Sequence, residues 1–457
     1  MVTDIYRIAC AAGFSGDRTD VAKPLVDELL RCGGPACLIF ESLAERTLAL
    51  AQLERHQNPD LGYEPLLLEM LEPILVDCIK GGIPIVGNFG AANPEGAARF
   101  IAKLAQEKGL QSIKIAIVKG DDVSAPKFRS QLESFLSPSD RETLTQSTLV
   151  SANVYLGGQE IAQALNAGAQ VVVTGRVADP ALTVGPLMAY FKKEWSDWNF
   201  VGAATIAGHL LECGAQITGG YFADPGVKDV PNLAQVGFPI MEFNAQGKMC
   251  ITKPPNTGGL VSRMTVTEQL LYEIHDPAQY LTPDVVADIS QVELHDTGAD
   301  RVELIGVIGH QKPDTLKANI CIDGGWLSEA EISYAGFHAY ERAQLAAQII
   351  RERLSDLVLR IDYIGSSSVF SSDAGEGPQI KSSIGLEDIR LRVSTANQDK
   401  HQAMRVCREV TALYTCGPAG GGGVRTSLKP RLNTLVCFIP RDLIHASYEF
   451  FDTKELV

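Results

Sequence analysis

The stretch Ile83-Pro84-Ile85-Val86-Gly87-Asn88-Phe89-Gly90-Ala91-Ala92-Asn93-Pro94 is a short apolar run that ends in a polar, glycine-containing cluster. Four other runs near the start of the chain repeat this pattern. Residues 5–10 lead into Gly13-Phe14-Ser15-Gly16-Asp17-Arg18, and 36–40 into Glu41-Ser42-Leu43-Ala44-Glu45-Arg46. Residues 113–118 meet Lys119-Gly120-Asp121-Asp122, and 171–173 meet Thr174-Gly175-Arg176-Val177-Ala178-Asp179-Pro180. Apolar runs this short and continuous suit strands buried on both faces of a parallel sheet. Parallel strands carry their carboxyl ends to one edge, where open α/β sheets bind ligands. That edge is expected to collect Asp17, Arg18, Glu41, Glu45, Arg46, Asn88, Asn93, Asp122, Arg176 and Asp179.

Helix-like segments separate the runs. Residues 94–108 place Ala97, Phe100, Ile101, Leu104 and Ala105 on one stripe, with Asn93 as N-cap, Pro94 at the first helical position and Gly109 closing the segment. Residues 160–167 end at Gly168, and 42–57 with 64–80 form a helix pair. The alternation predicts an α/β fold: a doubly wound, mainly parallel, Rossmann-like domain over residues 1–240. From residue 241 to 457 the texture changes, and a second, α+β domain is expected. Its helices fall at 265–274, 329–354 and 400–414, and its strands at 286–294, 301–308, 315–322, 357–364 and 388–394. A Ser- and Gly-rich mobile loop is expected at 366–378, and Gly417-Pro418-Ala419-Gly420-Gly421-Gly422-Gly423-Val424-Arg425 is the densest glycine run.

Of the 457 residues, 40 are Lys or Arg and 55 Asp or Glu, a net charge of −15, which argues against nucleic acid and anionic membrane surfaces as partners. The ten cysteines form no Cys-x-x-Cys pair, and Cys10 and Cys437 sit in apolar runs as small hydrophobes. The start lacks a leader pattern and no apolar run reaches membrane length, so a cytoplasmic, reduced protein is expected. A homo-oligomer is the base-rate expectation for a protein of this size.

Several residues carry chemistry, each with a plainer alternative. Arg18, Arg46 and Arg176 could together grip a carboxylate or phosphate through forked hydrogen bonds, or pair locally with Asp17 and Glu45. Asn93 and Asp179 read as helix caps, and a capped helix start also favours anions. Glu41 at the sheet mouth could be raised in pKa as a general acid or base, or pair with Arg18 or Arg176. Asp121 and Asp122 could join Glu41 around a divalent cation; more often such a pair caps a helix. His209 and Glu212, one turn apart, form a proton-transfer dyad or a structural pair; the second histidine of a zinc helix is missing. Cys213 beside them could be a nucleophile, without sign of activation. Gly422 and Arg425 mark a run that could cradle phosphate or serve as a linker; it matches no nucleotide-binding motif.

The blocks 13–18, 40–46, 88–94, Ser151-Ala152-Asn153-Val154-Tyr155-Leu156-Gly157, 174–180, 208–226, Lys228-Asp229-Val230-Pro231, Ile274-His275-Asp276-Pro277 and 417–425 together resemble the acyclic terpene utilisation protein family. The resemblance covers nearly the whole chain. It implies a role in breakdown of acyclic terpenoids such as citronellol and geraniol, through branched acyl-CoA thioesters. It carries over no catalytic residue. Some relatives have a further small carboxy-terminal domain, for which a chain ending at Val457 is expected to have little room.

The expectation is a catabolic enzyme acting on a branched acyl-CoA or carboxylate by hydratase or lyase chemistry. Glu41 or His209 would be the base, with Glu212 beside His209. Arg18 and Arg176 would clamp the anion, and Asn88 or loop N–H groups would stabilise an enolate. No cofactor is expected apart from the CoA of the substrate. The rivals are a non-catalytic acyl-CoA-binding or accessory subunit and a metal-dependent hydrolase.

Overall fold

The computed structural model describes residues 5–110, 112–369 and 388–452. The loop expected at 366–378 therefore falls mostly outside the described residues. The chain divides into two compact units, one of Met1–Thr143, Leu149–Cys321 and Thr434–Val457, the other of Leu144–Thr148 and Ile322–Asn433.

In the first unit the five runs quoted above form neighbouring parallel strands. They are β1 (Ile5–Cys10), β2 (Ala36–Phe40), β3 (Ile85–Gly87), β4 (Ile115–Lys119) and, after β5 (Leu149–Val154), β6 (Val171–Val173). Their order is β1-β2-β3-β6-β4, every contact parallel. Alternate residues face two cores. Ile8, Cys37, Ile39 and Val172 pack on the helices Gln159–Asn166, Ala181–Phe191 and Trp198–Glu212. Leu38, Phe40, Ile85 and Val173 pack on Ala22–Cys32, Leu67–Leu71, Leu75–Gly81 and Pro94–Glu107. Strands buried on both faces explain why the runs lack polar alternation.

The sheet does not stop at the parallel block, and it is mixed rather than mainly parallel. β7 (Ile240–Asn244), β8 (Met249–Thr252), then β9 (Tyr280–Leu281), β10 (Val286–Asp288), β11 (Glu293–Gly298), β12 (Arg301–Ile305) and β13 (Ile308–His310) follow in sequence. Of these, β7, β8, β12 and β11 extend the sheet antiparallel beyond β1. The sequence pattern of Arg301-Val302-Glu303-Leu304 is that of a half-buried strand; Val302 and Leu304 point into the first core. β13, β10 and β9 make a separate small sheet.

The second unit is built from β14 (Thr315–Ala335) from Ile322 onward, the helix Ala339–Arg353, β15 (Arg360–Ile364), β16 (Asp388–Asn397), the helix Lys400–Cys416 and β17 (Gly422–Pro440) as far as Asn433. The sheet order is β15-β16-β14-β17. The helix expected over 329–354 is only half helix. Residues 329–335 are strand, because Ala330, Ile332 and Tyr334 alternate into the core between Glu329, Glu331 and Ser333, and Gly336 at φ 81° breaks the chain before the helix. β18 (Ser447–Phe450) pairs antiparallel with β4 and forms the other edge of the first sheet. All ten cysteines are free. Among the described residues no helix is long and apolar enough to cross a membrane.

Candidate functional site

The carboxyl ends of β1, β2 and β6 open onto a cavity of about 750 Å3 in the first unit. Two glycines let the other walls close on it. A Cβ on Gly13 would lie 2.5 Å from the carbonyl carbon of Cys213, so the loop after β1 rests directly on the end of the helix Trp198–Glu212. A Cβ on Gly208 would lie 2.6 Å from the Cα of Pro180, so the same helix lies against the turn that follows β6. That helix is apolar around its whole circumference and buried from Phe200 to Glu212, which is how it can thread between the two. Asp17, Asp179, Glu212 and Cys213 thereby share one cavity with Glu41.

Among the charged side chains of the lining, the carboxyl groups of Asp17, Glu41, Glu45, Asp179, Glu212 and Glu273 outnumber the cations Arg176 and Lys317. Glu41 is buried and accepts hydrogen bonds from Leu43 N (3.0 Å) and Asn88 Nδ2 (2.8 Å). Burial and the nearby Asp179 push its carboxyl well above the usual range, with Arg176 pulling the other way. Burial also raises Asp179, held back by Arg176. Glu212 bonds through one oxygen to His209 Nδ1 at 2.9 Å, while its other oxygen has no hydrogen-bond partner among the described residues. Burial pushes Glu212 up to about 7 in spite of the histidine. Burial works against the charge on His209, but the Glu212 carboxylate outweighs it and the imidazole pKa is raised. Glu45 behaves oppositely: burial is overcome by the Tyr155 hydroxyl and the Lys317 and Arg176 charges, which bring it down to about 2.

Both cations are taken up by the protein. Each of the three guanidinium nitrogens of Arg176 donates, Nε to Val177 O (2.9 Å), Nη1 to Leu43 O and Nη2 to Asp179. Its charge also lies 4.3 Å from the Tyr155 ring centroid. Lys317 Nζ pairs with Glu45 at 3.2 Å and sits 4.6 Å from the centroid of the same ring. Tyr155 donates its hydroxyl to Glu45, and its N–H to the Lys317 carbonyl at 2.9 Å. The rim is apolar and exposed, with Tyr221 88 % and Phe14 57 % accessible beside Tyr272 and Leu281.

Of the residues singled out from sequence, Asp17, Glu41, Glu45, Arg176, Asp179, Glu212 and Cys213 line this cavity, with His209 buried behind Glu212. Asn88 is also behind the wall, holding Glu41 and, through its Oδ1, Ser42 N at 2.7 Å. The three-arginine clamp does not assemble. Arg18 pairs with Asp20 at 2.8 Å and Arg46 is exposed on the helix Glu45–Gln57; neither is in the lining, and Arg176 is paired with Asp179. Asn93 caps the helix Pro94–Glu107, accepting from Gly96 N at 3.0 Å and donating to Pro59 O and Leu61 O. Gly422 and Arg425 belong to β17 of the second unit, where Arg425 is exposed.

Asp121 and Asp122 take part in local hydrogen bonds. Asp121 accepts from Arg176 N and Asn153 Nδ2, both at 2.9 Å, and Asp122 accepts from Ser124 N at 2.8 Å. Among the described residues no group of three or more His, Cys, Asp or Glu side chains is placed to hold a metal ion. Cys213 lines the cavity, but burial and Glu212 raise its thiol, which is the wrong direction for a thiolate nucleophile. Sequence reasoning missed Lys317, Tyr280 and Glu273. Tyr155 was visible in the block 151–157 but had no assigned role. Lys317 lies in an ordinary alternating strand, and only the fold brings it to Tyr155.

No curated protein matches the chain. A family model described as acyclic terpene utilisation family protein AtuA matches residues 6–450, nearly the whole chain; the chain belongs to that family, and membership implies involvement in acyclic terpene utilisation.

Proposed function

We propose that the cavity is the active site of an enzyme that works by acid–base chemistry on a branched acyl group, as a CoA thioester or carboxylate, in a hydratase or lyase reaction. The observation that carries this reading is Glu212, whose one oxygen is bonded to His209 while the other is buried with no hydrogen-bond partner among the described residues, in a side chain that lines the cavity. A base that titrates near 7 is matched to proton transfer at neutral pH. Glu41, whose carboxyl burial raises well above the usual range, is the complementary acid. In the dehydrating direction Glu212 takes the proton from the carbon next to the carbonyl, the carbon–oxygen bond breaks, and the Glu41 proton leaves with the hydroxide as water. Hydration is the reverse. His209 positions Glu212 and shares its charge, and Asn88 positions Glu41. The apolar rim of Phe14, Tyr221, Tyr272 and Leu281 suits a branched hydrocarbon chain. The reaction as written uses no cofactor beyond the CoA of its substrate. We further read the first unit as doubly wound and Rossmann-like, and the protein as a cytoplasmic homo-oligomer.

The test is turnover of branched acyl-CoA thioesters by the protein alone, followed by mass spectrometry of the acyl group. Glu212→Gln and Glu41→Gln should each lower kcat by about 100-fold or more while ligand-induced thermal stabilisation persists. Full turnover by Glu212→Gln overturns the assignment. Binding without turnover by the unmodified protein points instead to an accessory subunit.

A further inference from the structure

The reading of this cavity as the substrate site leaves open the charge of what enters it. The lining decides this through its cations. A site that receives a carboxylate needs at least one donor with charge to share, commonly a forked arginine. Arg176 has each guanidinium nitrogen bonded to Val177 O, Leu43 O or Asp179, its charge is matched by the Asp179 carboxylate, and it is buried. Lys317 is held between the Glu45 carboxylate and the Tyr155 ring. Asp17, Glu212 and Glu273 present further carboxyl groups, so an incoming anion meets like charge in a partly enclosed space. Each of the two cations is thus matched by a carboxylate of its own chain.

We infer that the cavity takes its ligand with an uncharged reacting group and rejects the free carboxylate of the same carbon skeleton. This inference rests on the cavity being the substrate site, and it narrows the proposed substrate to the thioester rather than the acid. The Glu45–Lys317 pair is then a specificity device: the glutamate cancels the one cation of the lining that retains solvent access.

The experiment is equilibrium binding, followed by thermal shift and calorimetry at a pH where the acid is fully ionised. The probes are three derivatives of one branched acyclic skeleton: the methyl thioester, the primary alcohol and the free carboxylate. The thioester and alcohol should bind, with the carboxylate at least about tenfold weaker. Glu45→Gln, which releases Lys317, should strengthen carboxylate binding by about tenfold relative to that of the alcohol. Carboxylate binding as tight as that of the thioester overturns the inference whatever the turnover. A Glu45→Gln protein with no gain for the carboxylate overturns the role given to the Glu45–Lys317 pair. Binding of the neutral probes with rejection of the acid, but no turnover of the CoA thioester, upholds the inference and sinks the acid–base reading instead. If none of the three binds, both fall together.

Discussion

Asn88 carries two burdens at once, since its amide nitrogen donates to Glu41 and its amide oxygen accepts from Ser42 N, all in a buried environment. Removing it leaves a buried backbone donor and a buried carboxyl short of partners. Asn88→Ala should therefore lower stability by about 1–3 kcal/mol, read by chemical denaturation. Loss of less than about 0.5 kcal/mol would show that water replaces both bonds. The residue-scale contrast between Glu41 and Glu45 has the same physical origin. Both follow β2 within a few residues, yet one is raised and the other brought down to about 2, because only Glu45 meets Tyr155 and Lys317. Both glutamates were visible in the sequence; their opposite titration was not, since the partners lie more than a hundred residues away in the chain.

At the scale of elements, the parallel strands were legible because burial on two faces leaves an unbroken apolar run, and the N-cap of the helix Pro94–Glu107 was legible because Asn-Pro is a local signal. The strand over 329–335 was misread as helix, since Glu and Ala are good helix formers and only the period-two burial against the helices of the second unit overrides them. The close approach of the helix Trp198–Glu212 also had no sequence signature beyond glycines at the right places. It makes a sharp prediction. Gly13→Ala and Gly208→Ala both drive a methyl group into backbone, at 2.5 Å and 2.6 Å respectively, and should each destabilise by about 1–3 kcal/mol or more and loosen the Glu212 end of the cavity. Gly422→Ala, with nothing within 4 Å, should fall within about 0.5 kcal/mol of the parent. Equal effects at all three positions in urea denaturation would refute the close-packing account.

For the whole molecule, the buried acids give stability a pH dependence of defined sign. Glu212 is shifted from 4.5 to about 7 and Asp121 from 3.8 to about 6, while His209 is raised above 6.5. All three bind protons more tightly in the fold than in the unfolded chain. Their contribution is present in full below the unfolded values and is lost as pH rises through the folded ones. Tm should therefore fall between about pH 5 and pH 8 in scanning calorimetry, and Glu212→Gln should flatten the slope; a Tm that rises with pH across that window contradicts the burial of these groups. The first unit also shows where sequence reading stops. Alternation, caps and the polar clusters after each run determined that five strands lie parallel and that acids gather at one edge, because these signals are local and repeat with the period of the backbone. Only the tertiary structure decided that β7, β8, β12 and β11 join the same sheet, that Glu212 arrives beside Glu41, and that Arg176 and Lys317 are neutralised by their own chain. Those outcomes depend on long-range packing and on competition among partners for a few charges, and neither leaves a periodic trace in the amino-acid order.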